Sequence, residues 1–235
     1  AELKTVPAVP FRDPNNYVHI AERTAEELRA TEPHGVLYSN KWDNLANREA
    51  HIDGTGPEIW EQTGGRVDGF ICAVGTGGTL SGVGAYLKQK NPNVVIAAAD
   101  PLGACVYSWV KTGELKSTGS SITEGIGQGR VTGNLAEAEI DDAYQIPDTE
   151  MLPIVYDLLQ EEGLLMGGST GINVAGAIRL AKDLGPGKTI VTVLCDSGQR
   201  YQSKLFNPDF LSERGFPERE IQERLHFFGG FEVLK

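Results

Sequence analysis

Residues 69–87 read GFICAVGTGGTLSGVGAYL, an apolar run that passes through a glycine-rich turn into a helical pattern. The apolar run predicts a buried strand, and the segment that begins at Thr79 predicts a helix. At such a junction the unused N–H groups and the positive end of the helix dipole face the same point. The turn therefore predicts an anion site, and the anion it favours is phosphate. Its residues are Gly75, Thr76, Gly77, Gly78 and Thr79.

Strand-like and helical patterns alternate along the rest of the chain. Further strands are predicted at residues 3–6, 36–38, 94–99, 143–146, 164–166 and 189–194. Helices are predicted at 17–31, 44–60, 79–89, 105–110, 149–161 and 172–182, with another from residue 201. We expect the second of these helices to break near Gly54 and Gly56. Strands that are apolar on both faces and separated by helices predict an α/β fold, with a mostly parallel sheet and helices on both faces.

Composition excludes several classes of protein. The 235 residues carry a formal net charge of −11, which disfavours nucleic acid as a partner. There is no apolar run long enough for a membrane span and no pattern typical of a signal peptide. The three cysteines include no CxxC pair, so we predict reduced thiols, a cytoplasmic location and no metal site. Cys72 and Cys195 lie in apolar runs, and we predict that both are buried.

The glycine turn is compatible with more than one phosphate ligand. A Walker loop is excluded because Leu80, not Lys, follows the turn. Gly75 and Gly77 match the first two glycines of the dinucleotide fingerprint, and Asp100 follows the next strand, where a ribose-binding acid would lie. Leu80 also occupies the third glycine position. An NAD-binding Rossmann oxidoreductase therefore remains an alternative.

A second glycine-rich turn, GGSTG, lies at Gly167–Gly171. It matches the G-x-S-x-G nucleophile elbow, and Asp196 and His226 follow in the chain order of a hydrolase triad. The same residues are typical of a helix start, with Ser169 or Thr170 as the N-cap. Both interpretations remain open at this point.

Five segments together resemble one family. They are GTGPEIW at 54–60, GTGGTLSGVG at 75–84, EGIGQG at 124–129, EEGLLMGGSTG at 161–171 and DSGQRY at 196–201. In this order they resemble the cysteine synthases (O-acetylserine sulfhydrylases). These are fold-type II pyridoxal-phosphate enzymes, related to cystathionine β-synthase and the tryptophan synthase β subunit. The resemblance runs from about residue 1 to about residue 207.

The resemblance implies pyridoxal 5'-phosphate as cofactor, with its phosphate on the turn from Gly75 to Thr79 and its pyridine nitrogen at the Ser169 hydroxyl. A mobile loop containing Gly125, Ile126 and Gly127 would close over the substrate. The implied reaction replaces the acetate of O-acetylserine, or a related activated serine, with sulfide to give cysteine. The family also implies a homodimer, with serine acetyltransferase as a partner. Residues 1–45 would end a smaller domain, 46–210 would form the larger cofactor domain, and 211–235 a tail.

Two departures from the family pattern stand out. The family has a Ser-x-Lys segment with the Schiff-base lysine, followed by a Ser/Thr-Gly-Asn-Thr-Gly loop, and this combination is absent here. We therefore expect about the first third of the enzyme to be missing from this chain, which alone would not turn over substrate. A non-catalytic relative is the alternative. Lys41 stands where the family usually has Gln close to the substrate, so a substrate contact is predicted for it.

Overall fold

The computed structural model describes residues 2–216, which form two compact units. The first unit ends at Asn44 and contains one helix, α1 (Tyr17–Arg29), whose N-cap Asn16 accepts a hydrogen bond from the Val18 N–H. The strands predicted at 3–6 and 36–38 do not form. An extended segment becomes a strand only when a neighbour pairs with it, and neither segment has one among the described residues.

The second unit, from Leu45, is built on a parallel sheet of four strands in the order β3-β2-β1-β4. Their bounds are β1 Gly69–Ala73, β2 Val95–Pro101, β3 Asp142–Ile146 and β4 Ile190–Val191. The strand predicted at 189–194 pairs over only two residues, and from Thr192 a side-chain hydrogen bond to the Ile71 carbonyl replaces the ladder. The strand predicted at 164–166 is wrong, because only Met166 forms a bridge, to Ser197.

Helices cover both faces of the sheet, as predicted. Among the described residues the helices of this unit are α2 (Ala46–Ala50), α3 (Gly56–Gln62), α4 (Gly78–Lys90), α5 (Val106–Thr112), α6 (Gly133–Ala136), α7 (Asp148–Glu162), α8 (Gly168–Leu184) and α9 (Pro208–Glu213), with a short 3₁₀ turn at Gly198–Tyr201. Alternate β1 residues face opposite sides, as the pleat requires. Phe70 and Cys72 pack with residues of α4, whereas Ile71 packs with residues of α7 and α8.

A π-helical segment, His51–Thr55, joins α2 to α3 without a break. Its signature is the hydrogen bond from the Gly56 N–H to the His51 carbonyl, five residues back. The predicted interruption near Gly54 and Gly56 is therefore wrong. Gly56 instead permits close packing, since a Cβ there would lie 2.7 Å from the Cβ of Tyr86 on α4.

The last described helix, α9, extends across the predicted boundary between residues 210 and 211. Leu211 is fully buried and packs in the same core as α7 and α8. The rest of the predicted tail, from residue 217, lies outside the described residues. Within residues 2–216, no helix combines the length and apolarity needed to cross a membrane.

The close packing of α7 against α8 gives a stability prediction at Gly171. An alanine Cβ there would lie 2.7 Å from the Met151 carbonyl oxygen and 2.8 Å from a Val155 methyl. We expect Gly171→Ala to lower the free energy of unfolding by roughly 2 kcal/mol, because overpacking outweighs the helix propensity of alanine. Urea denaturation measures this, with Gly54→Ala as the control, since a Cβ at Gly54 meets nothing within 4 Å. Equal stability of the two variants would contradict the prediction.

Candidate functional site

The glycine turn lies between the carboxyl end of β1 and the start of α4. Gly77, at φ +88°, adopts the left-handed conformation that reverses the chain into the helix. The first hydrogen bond of α4 runs from the Ser81 N–H to the Gly77 carbonyl, so the N–H groups before Ser81 are not used by the helical ladder. These donors and the helix dipole make the turn suited to an anion.

Asn47 on α2 supports this turn from the side. Its Nδ2 donates to the Thr76 hydroxyl oxygen at 2.9 Å, and the same oxygen accepts from the Gly78 N–H at 3.3 Å. Because that oxygen already receives two donors, the hydroxyl hydrogen of Thr76 is available to a ligand. Gly78 must lack a side chain, since a Cβ would lie 2.1 Å from Asn47 Oδ1.

His51 hydrogen-bonds the hydroxyl of Thr79, the second threonine of the turn. Its Nε2 lies 3.1 Å from the Thr79 hydroxyl oxygen, and its Nδ1 lies 2.9 Å from that of Thr55. Burial lowers the pKa of His51, which favours the neutral ring. With its hydrogen on Nε2, the ring donates to Thr79 and accepts from Thr55, so the Thr79 hydroxyl can also donate to a ligand. Amides outside the helical ladder and two neighbouring hydroxyls fit a phosphate group.

Ser169, one of the predicted site residues, lies at the start of α8. It is 7% exposed, and the helix begins after Gly167, which is the N-cap in place of the predicted Ser169 or Thr170. Asn173, one turn further along, accepts a hydrogen bond of 2.6 Å from the Ala73 N–H at the end of β1. The start of α8 is therefore tied to the strand that leads directly into the glycine turn.

The loop with Gly125, Ile126 and Gly127 reaches the same edge of the sheet. The Gly127 N–H donates to the carbonyl of Val74, the residue before the turn, at 3.0 Å. A Cβ on Gly75 would lie 2.9 Å from the Gly125 carbonyl oxygen, so the two loops meet backbone to backbone. Ile126 packs against the core formed by α7 and α8.

Lys41 belongs to the first compact unit. It is exposed, and its Nζ lies 5.0 Å from the centroid of the Trp42 ring. A contact between Lys41 and a substrate stays a prediction.

The residues invoked for the alternative functions have other partners. Asp100 is completely buried, and its Oδ2 accepts from the Tyr107 N–H of α5 at 2.8 Å, which does not suit ribose binding. Asp196 Oδ2 accepts from the Tyr201 hydroxyl at 2.8 Å. His226, the remaining member of the predicted triad, lies outside the described residues.

Sequence reasoning assigned no role to Asn47, His51, Asn173 or Cys195. Asn47 and His51 are 29 and 28 residues away in sequence from the threonines that they contact. No local sequence pattern therefore indicates their role. Asn173 follows Ser169 by four residues, a spacing that places both on one helix face and could have been noticed. The predicted burial of Cys195 is wrong: it follows the end of β4 and is exposed, whereas Cys72 is buried.

Comparisons with known proteins identify the family of the chain. A family model described as "Pyridoxal-phosphate dependent enzyme" matches residues 3–196. Cysteine synthase 1 of Emericella nidulans is 46% identical over 220 residues, covering 92% of this chain and 58% of that protein. Cysteine synthase of Dictyostelium discoideum is 42% identical over 231 residues, covering 94% of this chain and 60% of that protein.

A solved structure shares the fold. The O-acetylserine dependent cystathionine beta-synthase from Helicobacter pylori superposes with a TM-score of 0.68 at 27% identity, covering 78% of this chain and 57% of that one. The present chain thus spans about three fifths of the length of the relatives it matches. None of these comparisons favours an NAD-binding Rossmann enzyme.

Proposed function

Because the chain belongs to the family of pyridoxal-phosphate dependent enzymes, we propose that it forms the cofactor-phosphate part of a cysteine synthase. The reaction converts O-acetylserine and sulfide into cysteine and acetate. One observation carries the proposal: the start of α4, with the Thr76 and Thr79 hydroxyls, faces the same sheet edge as the start of α8, which bears Ser169.

The glycine turn would bind the cofactor phosphate. Backbone N–H groups at the start of α4 donate to the phosphate oxygens, and the hydroxyls of Thr76 and Thr79 add two further donors. Asn47 donates to the Thr76 hydroxyl oxygen, and the His51 ring hydrogen-bonds the Thr79 hydroxyl. These interactions are specific to a phosphate ester, so pyridoxine without its phosphate should bind far more weakly than pyridoxine 5'-phosphate.

Ser169 would meet the pyridine nitrogen. When bound, the cofactor ring accepts electron density from the substrate carbon that loses its proton. A serine hydroxyl donates a hydrogen bond to the nitrogen without carrying a charge, whereas a carboxylate would hold the nitrogen protonated and strengthen the electron sink. The neutral donor suits loss of a β-substituent.

The loop of Gly125, Ile126 and Gly127 would lie on the substrate side. Its backbone already contacts Val74, just before the turn, and lies close to Gly75, so it can cover a ligand held there and exclude water. For Lys41 we propose a contact with the substrate carboxylate, which Lys41→Gln would weaken.

The test supplies the full-length protein with pyridoxal phosphate, O-acetylserine and sulfide and measures cysteine formation. We expect cysteine and acetate in equal amounts, and a Ser169→Asp variant that binds the cofactor but forms cysteine more slowly. Binding of pyridoxal phosphate without cysteine formation would reject the synthase activity and leave the cofactor site intact.

We also propose a homodimer that associates with serine acetyltransferase, on the resemblance alone. Light scattering of the purified protein tests the homodimer, and co-purification with serine acetyltransferase tests the association. A cytoplasmic location is supported by three cysteines without a disulfide among residues 2–216. A Saccharomyces cerevisiae relative is described as mitochondrial, so cell fractionation must separate the two compartments.

A further inference from the structure

The segment at residues 127–132 holds two backbone carbonyls at the glycine turn. The Gly127 N–H donates to the Val74 carbonyl at 3.0 Å, and the Thr132 hydroxyl donates to the Thr76 carbonyl at 2.5 Å. The second of these contacts joins residues that are 56 positions apart in sequence. It acts on the peptide group between Thr76 and Gly77, in the middle of the turn.

The hydrogen bond from Thr132 has a fixed direction. Thr132 is completely buried and is the N-cap of α6, where its hydroxyl oxygen accepts from the Leu135 N–H at 3.1 Å. A hydroxyl has a single hydrogen, and that of Thr132 is shielded from solvent, so it stays on the Thr76 carbonyl. The same short helix fixes the place of the turn, since a Cβ on Gly77 would lie 2.8 Å from the Cβ of Leu135.

The direction of the Thr76 carbonyl determines where the next N–H points. The peptide bond between Thr76 and Gly77 is trans, and in a trans peptide the C=O and N–H groups point in opposite directions. The contact with Thr132 therefore directs the Gly77 N–H away from α6. Within residues 2–216 this N–H has no hydrogen-bond partner, so it is one of the donors that the helical ladder of α4 leaves for a ligand.

We propose that Thr132 is a positioning residue for the cofactor phosphate: its hydroxyl holds the Thr76 carbonyl and so presents the Gly77 N–H to a phosphate oxygen. Without this contact the peptide can rotate, because glycine at position 77 imposes little restraint, and the carbonyl oxygen can turn its partial negative charge toward the phosphate. This inference rests on the proposed function, because it requires that the glycine turn bind the cofactor phosphate.

The experiment compares two ligands, pyridoxine 5'-phosphate and pyridoxine, by calorimetry on the purified protein. Thr132→Val removes the hydroxyl but keeps the shape of the side chain, and the Leu135 N–H retains the backbone carbonyl of residue 132 as an acceptor at 3.1 Å. We expect pyridoxine 5'-phosphate to bind roughly 10-fold more weakly, as for loss of one hydrogen bond to a charged group, and the affinity for pyridoxine to stay unchanged. Thr132→Ser should restore the affinity, because its hydroxyl can donate to the same carbonyl.

Thr192→Val is the matched control. The Thr192 hydroxyl donates to the Ile71 carbonyl at 2.7 Å, so this variant loses the same kind of bond elsewhere on the sheet. It should bind pyridoxine 5'-phosphate as the unchanged protein does. The inference is overturned if Thr132→Val binds as tightly as the control, if it weakens both ligands equally, or if Thr132→Ser fails to restore the affinity. Failure of the unchanged protein to bind pyridoxine 5'-phosphate would overturn the proposed function as well.

Hydrogen exchange of the Gly77 amide supplies a second measurement that needs no substitution. NMR on protein labelled with ¹⁵N-glycine follows this signal in the unchanged chain. At a pyridoxine 5'-phosphate concentration of about ten times Kd, the exchange rate should fall roughly tenfold, because only the ligand-free fraction exposes the N–H. An exchange rate that the ligand leaves unaltered would show that the Gly77 N–H does not meet the phosphate, and would overturn the inference while leaving the proposed function in place.

Discussion

Gly78→Ala is expected to weaken binding of pyridoxal phosphate roughly 10- to 100-fold, the loss that follows when hydrogen bonds to a charged group are removed. The new Cβ would lie 2.1 Å from Asn47 Oδ1 and 2.6 Å from Asn47 Cγ. Asn47 must then move and release the Thr76 hydroxyl, which loses its fixed direction toward the phosphate. Equilibrium binding of pyridoxine 5'-phosphate, measured by calorimetry, checks the result.

Gly54→Ala is the matched control for this substitution, because it adds the same methyl group to the neighbouring π-helical segment with no atom within 4 Å. It should bind pyridoxine 5'-phosphate as the unchanged protein does. An affinity of Gly78→Ala equal to that of Gly54→Ala would show that Asn47 does not support the site.

Asp100→Asn is expected to change the pH dependence of stability by roughly 2.5 kcal/mol between pH 4 and pH 7. Asp100 is completely buried at the end of β2, and desolvation raises its pKa to about 6 although the Tyr107 and Val106 N–H groups stabilise the charge. The folded chain therefore binds this proton more tightly than the unfolded chain does. The stabilising contribution is complete below about pH 4 and is lost as the pH rises through 6.

The measurement is the difference in free energy of unfolding between variant and unchanged protein, taken at several pH values. An amide has no proton to lose, so the variant should gain stability relative to the unchanged protein as the pH rises from 4 to 7. Taking the difference removes the contribution of the other carboxylates. Two parallel profiles would mean that folding does not raise the pKa of Asp100.

The sheet was predictable because each central strand carries its own signal. The apolar runs before Gly75 and Asp100 are buried on both faces, and a continuous apolar run of that length is typical of a parallel strand. Segments 3–6 and 36–38 have the same local character but pair with no strand within residues 2–216, and pairing is a property of the whole fold. The short pairing of β4 also depends on a contact with another strand, since Thr192 hydrogen-bonds the Ile71 carbonyl through its side chain.

The candidate site was predictable only where its chemistry is encoded in adjacent residues. The turn from Gly75 to Thr79 and the serine at 169 lie in short motifs with their own spacing. Asn47 and His51 act across contacts that only the folded chain creates, and Cys195 meets the Thr170 hydroxyl only when the segment after β4 lies beside the start of α8. Such long-range contacts leave no periodicity in the sequence.

The π-helical turn at His51–Thr55 sets how α2 is oriented toward the glycine turn. A π turn holds one residue more than an α turn, and removing one residue from a helix rotates everything before it by about 100°. A homologue one residue shorter here, with an unbroken α-helix, would therefore present a different side chain where Asn47 now stands. Insertions and deletions in this segment, more than substitutions, would therefore decide whether a related chain retains an asparagine beside the glycine turn.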